Sequence, residues 1–393
     1  MASPSRLLKR SALIFVAVAS LLSWQLAAAA PIRHSPPAIK LGGVFGVDSP
    51  VSSVASSILG GYQLAFTQAN HTGGIKGASI DYLTQDDQYN SATTVQALKT
   101  LVESDGVLAI AGVFGSPDSA AAVPYLEGKR VPFFDPIGGG VDVSGDPWVW
   151  QTEPSYALEG TVIANYLKKV LKINKVAALY QADINKPQIT ALSKAYGSKF
   201  LSEPYDANDT TFVSQLSQIQ SFDPQIVVLL GTPLPLADFL GEAAGNGYQP
   251  PKGWFANYPE GDPTFVELAQ PRCTCLQGSH VSSYADLTGH NPVAKAYAAA
   301  IRKYDPSQAN TNYGLYGYFN GSLMVRALKL AAPNPTAAKL QKIFNTKFRN
   351  YKSGFTGVLN WTPKNRYGVK QFKIYKIQVN GPKFIPITGW LNN

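Results

Sequence analysis

The sequence predicts an α/β fold of two similar lobes, each a parallel sheet with helices on both faces. The first observation is that short, β-rich apolar runs alternate with helix-period stretches along most of the chain. The second is the length of 393 residues, which exceeds the roughly 250–300 residues at which a single core stops growing. Because the same strand and helix unit repeats without a solenoid period, two similar lobes account for this length.

The N-terminal segment has the order of a secretory signal peptide. Basic residues up to Arg10 precede an apolar stretch and then four small residues, Ala27 to Ala30. We expect a signal peptide at 1–29 and a flexible lead-in at 30–38. The alternative is an uncleaved membrane anchor, since 11–30 approaches the roughly 20 residues that span a bilayer. Both alternatives place the rest of the chain outside the cytoplasm, as a secreted or otherwise extracytoplasmic protein.

Seven β-rich runs mark the predicted strands in chain order. They are Ile39 to Val47, Ser79 to Thr84, Val107 to Phe114, Val131 to Phe134, Val176 to Gln181, Ile226 to Gly231 and Gly253 to Ala256. Each run is short and apolar, as strands of a buried parallel sheet are. Helix-period stretches fill the intervals. Ligands of open parallel sheets bind beyond the carboxyl ends of the strands, so we expect a ligand cleft between the lobes, lined by the loops that follow these runs.

Charge is unevenly distributed along the chain. The net charge is +9, and the body without its leader carries 31 basic residues against 25 acidic ones. Residues 306–393 hold 13 Lys and Arg and no Asp or Glu. Lys370, Lys373 and Lys376 are three apart and do not form one face of a strand. We therefore predict a solvated basic surface facing an anionic wall or membrane, and no nucleic-acid site.

Composition and motifs exclude several classes of protein. A polytopic membrane protein is excluded because the long apolar run is confined to the N-terminus. The glycine-rich nucleotide loops, the serine nucleophile elbow and the zinc-protease motif are missing from the sequence. We therefore predict no enzymatic activity, no cofactor and no metal site. Cys273 and Cys275 suit an exported protein as a close-spaced bridge, but residues two apart on a strand usually lie too far apart, so the sequence leaves this bridge open.

A series of motifs occurs in one order along nearly the whole chain. They are Ile39 to Val44, Gly60 to Phe66, Gly73 to Gly77, Asp86 with Asp87, Gly112 to Ser116, Val131 to Pro136, Thr210 to Leu216, Ile226 to Gly231, Tyr258 to Gly261 and Phe355 to Gly357. In this order they resemble the extracellular solute-binding proteins of branched-chain amino acid ABC transporters, which have a type I periplasmic binding fold. The resemblance implies a monomer that captures a small polar ligand, an amino acid or related compound, and delivers it to an ABC permease.

The resemblance also implies how the chain is divided between the lobes. The chain would cross between them three times, forming a three-stranded hinge, and the lobes would close over one ligand by hinge bending. Lobe 1 would comprise 39–153 and 285–356, and lobe 2 would comprise 154–284 and 357–393. Contact with a membrane surface would occur only through the permease or an uncleaved leader.

Site residues follow from the same resemblance. Proteins of this family hold the ligand carboxylate with hydroxyl and backbone N–H groups of the first lobe, and the ammonium with an acid of the second lobe. The acid matches Glu260. The ligand-binding residues expected here are Ser116, Asp118, Ser119, Ile137, Gly138, Gly139, Asn185, Thr232, Tyr258 and Glu260.

Two positions depart from the family pattern. Asp118 stands where the family usually has a Ser for the carboxylate, and Gly139 or Gly140 stands where it usually has a Thr. Either Asp118 points away and Ser116 binds the carboxylate with the glycine backbone, or the ligand is not an ordinary α-amino acid. Two further alternatives remain: a membrane-anchored ligand sensor of the same fold, and an enzyme that uses Asp118 and Glu260 as a carboxylate pair.

Overall fold

The fold is known from a computed structural model that describes Met1 and residues 36–392. The expected signal peptide and most of the expected lead-in therefore lie outside the described residues. Regular structure begins with a strand at Ile39, as predicted. In the described part of the chain, no helix combines the length and the apolar character needed to cross a membrane.

The first sheet is formed by strands from the N-terminal part of the chain. These are β1 (Ile39–Val44), β2 (Ile80–Gln85), β3 (Ala109–Phe114), β4 (Phe133–Ile137) and β5 (Val149–Trp150). Their order is β2-β1-β3-β4-β5, and all pairs are parallel. Every residue of β3 and β4 is buried, because helices cover both faces of the sheet.

The second sheet contains the remaining strands. These are β6 (Val176–Gln181), β7 (Phe200–Tyr205), β8 (Ile226–Leu230), β9 (Trp254–Ala256), β10 (His280–Ser283), β11 (Lys373–Gln378) and β12 (Lys383–Pro386). Their order is β12-β11-β10-β9-β8-β6-β7. Strands β6 to β10 are parallel to one another, whereas β11 is antiparallel to both of its neighbours, β10 and β12. The two sheets with their helices confirm the predicted α/β fold of two lobes.

The α-helices lie between the strands in sequence. In chain order they are α1 (Ser52–His71), α2 (Ser91–Lys99), α3 (Ser116–Lys129), α4 (Tyr156–Lys169), α5 (Lys186–Tyr196), α6 (Val213–Phe222), α7 (Pro233–Gly245), α8 (Pro263–Ala269), α9 (Pro292–Tyr304), α10 (Asn312–Ala331) and α11 (Ala337–Lys347). Helices α1 to α3 and α9 to α11 pack on the first sheet, which together with them is called lobe 1. Helices α4 to α8 pack on the second sheet and form lobe 2 with it.

All seven predicted strands are present, and several further strands lack the continuous apolar run on which the prediction rested. Edge strands such as β7 and β12 alternate partly exposed polar and apolar residues and so lack a continuous apolar run. Strand β10 lies inside the sheet, but three of its residues, His280, Ser282 and Ser283, are polar and so interrupt the apolar run. All of its residues are buried.

The chain crosses between the lobes three times in the described region. The first two crossings leave β5 and β10. The third differs from the expectation, because residues 357–369 stay on lobe 1 instead of beginning lobe 2. Trp361 is fully buried there, with its ring edge-on to Phe134 at 5.7 Å. The third crossing follows Val369, whose N–H donates to the carbonyl of Thr152 (3.1 Å), and the chain enters lobe 2 at β11.

Cys273 and Cys275 form a disulfide. The two residues lie in the turns that follow α8 and not on a strand. This irregular backbone brings their Cα atoms to 5.2 Å, which is within the usual range for a disulfide. The objection based on strand geometry therefore does not apply to this segment.

Candidate ligand-binding site

A cavity of about 110 Å³ lies between the lobes. Its walls are largely apolar and come from both lobes, at the carboxyl ends of the strands. Loops after β3, β4, β6, β8 and β9 contribute, at residues 115–116, 138, 184, 231–233 and 258–259. This is the position that the sequence predicts for a ligand cleft.

Five of the expected site residues line this cavity: Ser116, Ile137, Gly138, Thr232 and Tyr258. Ser116 is the first residue of α3, where backbone N–H groups are free and the helix dipole favours a negative group. Its hydroxyl oxygen accepts the N–H of Gly140 (3.1 Å), so its own proton is left to donate to a ligand. Ser116 and the adjoining backbone therefore form a potential carboxylate site.

Asp118 is buried and does not line the cavity. One of its oxygens accepts the hydroxyl of Ser91 (2.9 Å), and the other has no hydrogen-bond partner. Burial, with the nearby charge of Asp87, raises the pKa of Asp118 to about 7. Of the two alternatives left by the sequence, this geometry corresponds to the one in which Asp118 points away from the ligand.

Ser119, Gly139 and Asn185 also lie outside the lining of the cavity, and each forms a hydrogen bond within the protein, although Oδ1 of Asn185 has no partner among the described residues. The hydroxyl of Ser119 donates to the carbonyl of Val113 (2.8 Å). The Asn185 amide donates to the side chain of Gln188 (3.1 Å). The carbonyl of Gly139 accepts the N–H of Tyr156 (2.7 Å), which fixes the start of α4. These residues support the walls of the cavity and do not face its interior.

Glu260 is the expected ammonium-binding acid, but it does not line the cavity. It ends a 3₁₀ turn, Tyr258–Glu260, and its fully buried side chain lies near Glu159 on α4. Burial and the Glu159 carboxylate raise the pKa of Glu260 well above its ordinary value. Glu159 holds the turn in place, because it accepts the N–H of Tyr258 (2.8 Å).

The acid that does line the cavity is Glu153, which the sequence analysis missed. It lies on the first crossing between the lobes. Its Oε2 accepts the N–H of Gly138 (3.0 Å) and the hydroxyl of Tyr258 (2.5 Å), and its Oε1 accepts the hydroxyl of Tyr284 at 3.4 Å. Burial, and then the charge of Asp135, raise the pKa of Glu153 to about 8. An acid inside a predicted crossing was the available signal for this residue.

Tyrosines form much of the cavity wall on which Glu153 lies. The tyrosines that line the cavity are Tyr89, Tyr156, Tyr258, Tyr284, Tyr313 and Tyr316. The ring of Tyr258 lies 5.4 Å from that of Tyr156 and 4.9 Å from that of Tyr284. Phenol rings offer apolar edges, negative faces and hydroxyl groups, so the cavity can contact apolar and cationic ligand groups at once.

A second buried acid, Asp135, lies behind this wall. Its two oxygens accept the hydroxyls of Tyr62 (2.6 Å) and Tyr316 (2.7 Å). Burial raises the pKa of Asp135 to about 7. Within residues 36–392, the ion pairs are Lys129 with Glu103, Arg272 with Asp238 and Lys373 with Asp286. None of them involves Asp135, Glu153, Glu159 or Glu260. Hydroxyl and N–H groups bond to the carboxylates of Asp135, Glu153 and Glu159 instead, whereas Oε1 of the buried Glu260 has no hydrogen-bond partner within this range.

Two α/β lobes joined by three crossings, with a cavity between them, define a two-lobed ligand-binding protein. The chain belongs to the periplasmic binding protein family, whose sequence pattern matches residues 38–382. Members of this family and the structural neighbours are solute-binding proteins and not enzymes. Neither member of the carboxylate pair considered for catalysis, Asp118 and Glu260, lines the cavity.

Individual relatives are distant but cover most of the chain. The Leu/Ile/Val-binding protein homolog 7 of Brucella suis biovar 1 (strain 1330) is 22% identical over 352 residues, covering 84% of this chain and 85% of the relative. A possible leucine/isoleucine/valine-binding protein from Rhodopirellula baltica SH 1 superposes with a TM-score of 0.80 at 19% identity, covering 92% and 98% of the two chains. A fatty acid ABC transporter substrate-binding protein from Thermomonospora curvata gives 0.80 at 19% identity, covering 91% and 93%.

Proposed function

We propose that this protein captures a small amino acid or related compound outside the cytoplasm and delivers it to an ABC permease. The observation that carries the proposal is the cavity walled by both lobes. A ligand bound there contacts both lobes at once, and it therefore favours the closed arrangement over an open one. A permease that distinguishes these two arrangements can recognise the loaded protein.

The chemistry of the cavity supports an amino acid with an apolar side chain. Ser116 and the first turn of α3 suit a carboxylate. Ile58, Phe114, Ile184 and Pro233 provide apolar walls for a side chain. The names of the relatives agree with this ligand class, except for the fatty acid transporter protein, whose name shows that the same fold also serves a carboxylate without an ammonium group.

The test is a thermal-shift panel on the mature protein. The panel contains L-leucine, L-isoleucine, L-valine and L-phenylalanine, with D-leucine as the matched control, and octanoate, simple amides and a polyamine as competitors for ligand class. Binding to the folded state alone stabilises it by RT ln(1 + [L]/Kd), about 2.7 kcal/mol at 100 times Kd. We expect a rise in Tm with at least one L-amino acid and a smaller rise with D-leucine. No shift with any panel member would contradict the proposal.

Two further measurements separate transport from the sensor alternative. Small-angle scattering should show compaction when the stabilising ligand is added, since hinge closure brings the lobes together. N-terminal sequencing of the exported protein should show a chain that begins near residue 30. A chain that begins at Met1 would instead support a membrane-anchored sensor.

A further inference from the structure

We propose that Glu153, and not Glu260, binds the ammonium group of the ligand, inside a cage of tyrosine rings, and that the site therefore selects α-amino acids over carboxylates that lack an ammonium group. This inference rests on the proposed function, because it assigns the ligand class of the same cavity.

The first argument is access. Glu153 lines the cavity from the crossing segment, whereas Glu260, the last residue of the turn that Tyr258 begins, lies outside the lining. Glu159 accepts the N–H of Tyr258 and the hydroxyl of Ser282, and so keeps this turn in place. Glu260 itself is fully buried in this turn, although Pro259 and Gly261 on either side of it line the cavity.

Glu153 can accept a further hydrogen bond from a ligand. A carboxylate offers about four lone-pair sites. Oε2 uses two of them, for Gly138 and Tyr258, while the contact of Oε1 with Tyr284 is long, at 3.4 Å. Oε1 therefore has capacity for a further donor. An ammonium group has three N–H donors and would form a charge-assisted hydrogen bond there.

The carboxyl group of Glu153 has no positively charged partner in the described part of the protein. Among the described residues, no Lys, Arg or His forms an ion pair with Glu153 or with the neighbouring Asp135. An ionised carboxylate buried without a cation is unfavourable. The rings of Tyr156, Tyr258 and Tyr284 line the same cavity, and aromatic rings attract cations. Ionisation of Glu153 therefore requires a cation in the cavity, and an ammonium group supplies one.

The positions of Ser116 and Glu153 match the short distance between the carboxylate and ammonium groups of an α-amino acid. The ammonium and carboxylate groups share one carbon atom, so their sites must be adjacent. Gly138 joins the two sites: its N–H donates to Glu153 (3.0 Å), and a Cβ placed on it would lie 2.5 Å from Ser116 Oγ. Its φ of +131° favours glycine and allows this close approach. A carboxylate at Ser116 therefore places its α-ammonium near Glu153.

Isothermal titration of three probes tests the assignment. L-leucine has both charged groups, 4-methylpentanoate lacks the ammonium and 3-methylbutylamine lacks the carboxylate. We expect Glu153→Gln to weaken L-leucine and 3-methylbutylamine by about 10- to 100-fold, the usual range for a hydrogen bond to a charged group. The same variant should leave 4-methylpentanoate within about threefold. Glu260→Gln is the matched control and should leave all three probes within about threefold.

Proton release provides a second readout that a loss of folding would not imitate. Burial raises the pKa of Glu153, so the empty site holds a proton near neutral pH, and a bound ammonium displaces it. We expect wild-type protein at pH 7 to release up to one proton per L-leucine, measured in buffers of different ionisation enthalpy, and Glu153→Gln to release fewer. The groups that face Glu153 are Asp135, Tyr156, Tyr258, Tyr284 and Tyr316. Glu153→Asp keeps the charge and should retain part of the affinity.

The outcomes separate this inference from the proposed function. Unchanged L-leucine affinity in Glu153→Gln, or a selective loss in Glu260→Gln, would overturn the inference and leave ligand capture intact. Wild-type protein that binds 4-methylpentanoate as tightly as L-leucine would also overturn it. A wild-type protein that binds none of the three probes would count against both the inference and an amino acid as the ligand.

Discussion

At the scale of single residues, the cavity depends on which polar groups face it. Ser116 and Asp118 lie two residues apart in α3, on different sides of the helix, and only Ser116 lines the cavity. The difference arises because the Asp118 carboxylate is engaged by Ser91 on α2, on the other side of the helix. Asp118, the departure from the family pattern, therefore joins two helices and does not line the cavity.

Separate substitutions of Ser116 and Asp118 distinguish an effect on ligand binding from an effect on helix packing. We expect Ser116→Ala to weaken L-leucine by about 10-fold, because it removes one hydrogen-bond donor to the ligand carboxylate. Asp118→Asn should leave affinity within about twofold, since the side chain does not reach the cavity. Titration calorimetry measures both. The opposite ranking would mean that Asp118 turns toward the ligand and that the first-lobe site is built around it.

At the scale of elements, lobe 1 depends on the close approach of α1 and α10. Glycines lie at this interface on both helices, at positions 61, 314, 317 and 321. A Cβ on Gly317 would collide with the carbonyl oxygen of Ile58. Ile58 and Tyr316 both line the cavity, so the same interface that packs the lobe also sets the position of two cavity walls.

This interface predicts a large difference between two glycine substitutions. Gly317→Ala should lower the free energy of unfolding by about 1–3 kcal/mol or more, because backbone atoms must move apart. Gly128 is the matched control: it is exposed in α3, and a Cβ there would meet nothing within 4 Å. Gly128→Ala should raise stability by about 0.5–1 kcal/mol through helix propensity. Urea unfolding measures both, and equal effects would refute the packing argument.

At the scale of the whole molecule, the lobes meet beyond the three crossings. The start of α10 in lobe 1 contacts the segment before α8 in lobe 2. Asn312 donates to the carbonyl of Gly261 (2.8 Å), and the N–H of Tyr313 donates to Asp262 (2.9 Å). These contacts close one side of the cavity. Several of the acidic side chains around the cavity are buried, so the stability of the whole molecule depends on pH.

Buried acids predict an unusual pH dependence for the empty protein. Burial raises the pKa to about 7 for Asp118, Asp135 and Glu159 and to about 8 for Glu153. These values lie above those of the unfolded chain, so the folded state binds more protons and stability falls as pH rises toward 8. His280, whose pKa burial lowers to about 4, opposes this trend only below about pH 6.5.

We therefore expect the ligand-free protein to lose stability between about pH 6.5 and 8 in urea unfolding, by at most about 1.4 kcal/mol per pH unit for each acid. Glu153→Gln should reduce the slope, because one of these protons no longer contributes. A saturating ligand with an ammonium group should also reduce it, by stabilising ionised Glu153. Stability that stays constant with pH over this range would show that the buried acids are ionised in the empty protein.

Local pattern was sufficient for most of the fold and for half of the expected site. Buried strands such as β3 and β8 have continuous apolar runs, because both faces are covered, and such runs are visible in the sequence. The third crossing was misplaced because the burial of Trp361 against Phe134 depends on contact between distant segments. Ser119 in α3 and Asn185 just before α5 follow the expected strands, but their side chains form hydrogen bonds within the protein.

The sequence by itself determined the α/β class, the two lobes and the loops that line the cavity between them, because each follows from periodicity and strand order along the chain. Only the tertiary structure decided which acid faces the cavity. Glu260 carries the family motif, but Glu159 and the 3₁₀ turn keep it outside the cavity lining, while the crossing segment places Glu153 among the tyrosines. Side-chain direction depends on packing between residues far apart in the chain, which no local pattern encodes.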